Sequence, residues 1–73
     1  MKSNVEIVDK LNKEKIDLLF KIQKLENSRF SIDWKELSLN HKYLLDIQLQ
    51  SMKTYLECLY ARINDILSKE ENK

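Results

Sequence analysis

Apolar side chains recur along this chain in steps of three and four, the spacing of a helix that buries one face. A first line of positions runs through Val8, Leu11, Lys15, Leu18, Ile22, Leu25 and Arg29, with Leu19 widening one flank. It predicts a packing helix over about 3–28. Glu6 and Asp9 near its start, and Lys21, Lys24 and Arg29 near its end, suit the helix dipole. Ser3 or Asn4 caps it. A second line, Leu45, Leu49, Met52, Leu56, Leu59, Ile63 and Ile66, predicts a longer helix over about 39–68. The closing KEENK, 69–73, has no apolar side chain and is expected to fray.

Between these helices lies a connection over about 29–38. Asp33 followed by Glu36 has the form of a helix cap, with Ile32 and Leu37 as the hydrophobic staple around it. A helix either begins at Trp34, or pauses and restarts after Ser38. The favoured reading is a short helical turn at Trp34 to Leu37 and then the long helix.

Composition supports an all-α chain. The 73 residues include no Gly and no Pro, so both strong helix breakers are missing along with the residues that tight hairpin turns need. The expected fold is a single domain, 1–73, formed by a two-helix antiparallel hairpin. A hairpin has one contact face, yet the second helix carries another. Leu44, Ile47, Ser51, Thr54, Cys58 and Ala61 also fall in steps of three and four, most of them small enough for another helix to approach closely. The first helix offers Ile16 and Phe20 outside its seam. Ordering such a chain costs on the order of 100 kcal/mol at ~1.5 kcal/mol per residue. A lone hairpin buries too little apolar surface to offset that. Hairpins are therefore expected to assemble into a helical-bundle homo-oligomer, a dimer or tetramer.

The polar residues on the seam are the unusual part. Gln48, Tyr55 and Arg62 stand seven residues apart, so they project from the second helix in nearly one direction. Folding the chain back pairs residues whose numbers sum to about 70, which sets Ile22 against Gln48, Leu18 against Met52 and Lys15 against Tyr55. Of 13 basic residues only Arg29 and Arg62 are Arg, and both sit on seams. Arg is favoured where a planar fork must grip a carboxylate or phosphate. The column is either a device that fixes register and oligomer state, or one wall of a ligand pocket. The aromatics pose a similar choice. Phe30, Trp34 and Tyr43, mixed with Arg29, Lys35, His41 and Lys42, either plug the end of the bundle or stack on a nucleobase and pair its phosphate.

Charge is nearly balanced, 13 basic against 12 acidic residues, which argues against a DNA mimic and against a basic nucleic-acid coat. Catalysis finds little support. His41 is the only His, Asp33, Glu36, His41 and Asp46 lack metal-ligand spacing, and there is no Gly to build a phosphate loop. Cys58 has no His within a helical turn to act as base, and reads as a small buried helix residue in a reducing compartment. Neither a signal peptide nor a membrane span is expected. No enzyme activity, metal or cofactor is implied.

The segment LLDIQLQSMKTYLECLYARI resembles a family of very small bacteriophage proteins in which a charged helix and a short connection precede a helix of this pattern. The matching positions are Leu44, Leu45, Gln48, Met52, Tyr55, Leu59, Arg62 and Ile63. That group is in turn similar to the phage anti-CBASS 4 sponge proteins, small helical oligomers that sequester cyclic nucleotide signals of bacterial antiphage defence. The resemblance implies a non-catalytic protein of the infected host's cytoplasm that holds a cyclic dinucleotide or related signal between subunits. Arg62, Lys15 and Arg29 would then grip phosphates, Tyr55, Tyr43 or Trp34 would stack on bases, and Gln48 would read a base edge. The rival expectation is an oligomeric coiled-coil interaction module or inhibitor with no small-molecule ligand.

Overall fold

The computed structural model describes residues 3–71. Three helices follow one another, α1 (Asn4–Ser28), α2 (Ile32–Glu36) and α3 (Leu39–Glu71). With no strand among the described residues, the chain is all-helical, an extended helix–turn–helix measuring 55 × 19 × 15 Å.

Each helix starts on a serine. The Ser3 hydroxyl accepts the Glu6 N–H at 3.2 Å, so Ser3 rather than Asn4 caps α1. Without glycine, α1 ends by tightening its last turn. The N–H groups of Arg29, Phe30 and Ser31 donate to carbonyls three residues back, at 3.3, 3.0 and 3.1 Å. Arg29 stays in the right-handed region (φ −62, ψ −20), and no described residue has positive φ.

Ser31 then joins α1 to α2. Its hydroxyl donates to the Ser28 carbonyl at 2.7 Å and accepts the Trp34 N–H at 3.2 Å. This displaces the expected cap. Ser31, not Asp33, starts α2, which begins at Ile32, while Asp33 becomes a favourable acid in the first turn. The expected staple does not form either, because Ile32 is 79% exposed. Leu37 leaves helical geometry (φ −74, ψ 146), and Ser38 opens α3 by accepting the His41 N–H at 3.0 Å. That helix continues to Glu71, past 68; the remainder of the expected tail, 72 and 73, lies outside the described residues.

Packing is confined to one face. Leu11, Leu18 and Ile22 of α1 meet Leu49, Leu59 and Ile63 of α3, with Ile7, Val8, Leu25, Met52, Leu56 and Ile66 partly buried around them. Apart from Ile7, these are seam positions of the two helices, and Leu49 and Leu59 are the most enclosed of them. Outside the seam little is covered. Leu44 and Ile47 are exposed, as are Ser51, Thr54, Cys58 and Ala61. Cys58, read from sequence as buried, is exposed in the single chain, with nothing among the described residues lying over that face of α3. The chain exposes 6009 Å². A compact protein of this mass exposes about 4,800 Å². The excess exceeds the ~800 Å² per partner of a standard protein interface.

Candidate functional site

The α1/α3 pair has two edges, and the sequence-selected polar residues divide between them. Gln48, Tyr55 and Arg62 form one line on α3, beside buried Leu59 and partly buried Met52. Facing it on α1 is the line Glu14, Lys21 and Ser28, also spaced by seven. Where two helices pack side by side in opposite directions, the residues flanking each seam meet their counterparts across it. Accordingly, the Tyr55 hydroxyl donates to the Glu14 Oε1 atom. Further along, Gln48 and Met52 border a groove of about 340 Å³ whose α1 wall is Lys21, Lys24, Leu25 and Ser28.

The opposite edge is different in character. Asp46, Lys53 and Tyr60 form its line on α3. Arg29 donates to Asp46 at 2.5 Å, Lys53 lies 3.5 Å from Glu26, and the Lys15 ammonium sits 5.0 Å from the centre of the Tyr60 ring. Each cation on this edge therefore has a partner within the chain. These pairs are partly solvated, with the Arg29 and Asp46 side chains 43% and 53% exposed, so each is worth at most ~1 kcal/mol.

The expected pairing of Lys15 with Tyr55 is thus corrected. Glu14 faces Tyr55, and Lys15 turns to Tyr60 on the other edge. Within one chain Lys15 and Arg29 are not brought together with Gln48, Tyr55 and Arg62. Arg62 itself is exposed and makes no hydrogen bond or ion pair with a described residue.

At the turn, the Arg29 guanidinium lies 5.9 Å from the centre of the Trp34 ring, a cation–π distance. Half-buried Trp34 lines a cleft with Leu37 and Leu45, so it closes part of the end of the helix pair. Tyr43 and Phe30 do not join it, being 64% and 89% exposed. Sequence reasoning missed Glu14, Tyr60, Lys21 and Lys24 as neighbours of the site. The signal was present as the Glu14, Lys21, Ser28 heptad beside the Leu11, Leu18, Leu25 line.

Among the described residues no group of three or more His, Cys, Asp or Glu is placed to hold a metal ion. Nor, among them, is any helix long and apolar enough to cross a membrane.

The Sequestin family model matches residues 6–65, from the first turn of α1 to the last third of α3. The chain belongs to the Sequestin family. The match covers both edges of the helix pair and the turn between them, so every residue selected above lies inside the Sequestin region. Its extent accords with the resemblance to small phage sponge proteins, and the Sequestin name points to a protein that sequesters rather than transforms what it binds. Comparison with curated proteins and with solved structures finds no match.

Proposed function

We propose that this Sequestin-family chain is a phage immune-evasion protein that captures a cyclic nucleotide signal of bacterial antiphage defence, without catalysis, in pockets between the subunits of a homo-oligomer. The observation that carries the reading is the unpaired edge of the helix pair, within the family match. Gln48, Tyr55 and Arg62 stand there in one line with only Tyr55 engaged among the described residues, while the cations of the other edge are paired internally. A rigid helical wall with free polar groups loses little entropy on binding, which favours the affinity a sequestering protein needs.

The exposed area supports assembly. Leu44 and Ile47 on α3, and Ile16 and Phe20 on α1, leave apolar surface that a second copy would cover. Assembly also offers a way to reunite the two edges, by presenting Lys15, Arg29 or Tyr43 of one subunit to the open edge of another. In this reading Arg62 binds phosphate, Tyr55 stacks on a base and Gln48 reads a base edge.

The test is capture and release. Cyclic di- and trinucleotides incubated with the purified protein are expected to be withdrawn from free solution and recovered chemically intact after heat denaturation. Recovery of a cleaved product would overturn the non-catalytic part of the reading; failure to withdraw any member of the panel would overturn the whole.

A second reading, a protein-interaction module, draws on the turn end, where Phe30, Ile32 and Leu39 are 89%, 79% and 83% exposed. A host protein retained by the wild type and lost on Phe30→Ser would favour it.

A further inference from the structure

The groove beside Gln48 stands apart from the others in the charge of its walls. Its lining is Lys21, Lys24, Leu25, Ser28, Gln48 and Met52, with two cations and no carboxylate. The apolar groove on α1 includes Glu26, the cleft along the outer face of α3 includes Asp46, the paired edge includes both, and the Trp34 cleft includes Asp33. Neither Lys21 nor Lys24 makes an ion pair with a described residue. The acid that precedes Lys21 on its own line, Glu14, is held by the Tyr55 hydroxyl. Asp17, one turn before Lys21, does not pair with it.

Residues three apart on a helix lie about 5–6 Å apart at Cβ, so two ammonium groups can close on one phosphate from the α1 side. Gln48 adds amide N–H donors from the α3 side. The Ser28 hydroxyl donates to the Leu25 carbonyl at 2.6 Å, which fixes the groove's end near the turn. Leu25 and Met52, both partly buried, form the apolar floor between them.

We infer that Lys21 and Lys24, with Gln48 opposite, form a phosphate-binding subsite in the α1/α3 groove, and that they take the phosphate-gripping part assigned from sequence to Lys15 and Arg29. The assignment of this subsite to a cyclic nucleotide rests on the function proposed above; the subsite's affinity for a phosphate group does not. Lys15 and Arg29 are drawn to Tyr60 and Asp46, and recruiting them would first require breaking those contacts. Lys21 and Lys24 are available without any rearrangement.

Two probes separate the claims. Sodium pyrophosphate is titrated into the full-length protein and followed by backbone and side-chain amide NMR, and the cyclic nucleotide panel is titrated by calorimetry. Both are run on the wild type, on Lys21→Gln/Lys24→Gln, and on the charge-matched control Lys35→Gln/Lys69→Gln. Gln keeps the helix propensity of Lys at these exposed positions. Pyrophosphate is expected to shift the resonances of Lys21, Lys24 and the Gln48 side chain. Affinity should fall about two- to fivefold for each lysine lost, and hold in the control.

Shifts spread equally over all lysines, or equal pyrophosphate binding by Lys21→Gln/Lys24→Gln and the wild type, would overturn the subsite. A cyclic nucleotide bound equally by both would also overturn it, while leaving the proposed function standing. Localised, lysine-dependent pyrophosphate binding without binding of any cyclic nucleotide would uphold the subsite and remove that function.

Discussion

Tyr55 of α3 donates its hydroxyl hydrogen bond to the Glu14 carboxylate of α1, closing the middle of the edge on which Gln48 and Arg62 stand open to either side. The bond holds the aromatic ring across the seam. A ring fixed in this way loses little freedom when a base stacks on it.

The two functions of Tyr55 are separable by substitution. Tyr55→Phe removes the hydrogen bond at a partly exposed site, so the melting free energy should fall by about 1 kcal/mol or less. Stacking is retained in that variant. Tyr55→Ala removes the ring and should weaken ligand binding by about fivefold to 150-fold, from ~1–3 kcal/mol per stacked base. Calorimetry on both variants checks this, and an Ala variant that binds like the wild type would take Tyr55 out of the site.

Arg62 should matter to binding and not to assembly. It is exposed and pairs with no described residue, so Arg62→Ala should abolish ligand binding while circular dichroism and light scattering remain unchanged. Unchanged affinity in the folded variant would remove Arg62 from the account. By contrast Arg29→Ala breaks the contacts to Asp46 and Trp34, and its first effect should be on the turn, read as faster amide exchange across α2.

With so few fully buried residues, the core has no redundancy. Leu59→Ala removes the most enclosed side chain of α3 and should cost about 2–5 kcal/mol, enough to unfold much of the population. A thermal melt followed at the helical circular dichroism signal decides it. A melt close to that of the wild type would mean that α1 and α3 do not depend on this seam.

Assembly is expected to cover the line of Leu44, Ile47, Ser51, Thr54, Cys58 and Ala61. Sedimentation should report more than one chain, the melting temperature should rise with concentration, and Thr54→Lys should reduce both effects. The Cys58 thiol gives an independent readout. It should react with a thiol reagent at dilution and be protected at high concentration; equal reactivity at both would argue that this face stays open.

How far the sequence reaches can be seen at individual residues. The seam leucines announce themselves because burial on a helix has a fixed period, and Leu11, Leu18, Leu49 and Leu59 are the packed ones. A single fold-back sum misplaces Lys15 because it treats the pair as having one edge. Tyr55 meets Glu14 and Tyr60 meets Lys15, so the two edges follow different sums, and a residue's side of the seam matters as much as its number. The cap of α2 is not legible in sequence because Ser31 and Asp33 are both good caps, and the choice depends on the Ser28 carbonyl, which Ser31 also bonds. Cys58 is exposed in the single chain, and its burial depends on a second chain covering the line from Leu44 to Ala61.

The central claim is tested most directly by calorimetric titration of the purified full-length protein with the panel of cyclic di- and trinucleotides. Tight binding of one member, at fewer than one ligand per chain, is the predicted result, because it requires a pocket shared between subunits. No binding across the panel would contradict the account, and would return Gln48, Tyr55 and Arg62 to the role of fixing how α1 and α3 align.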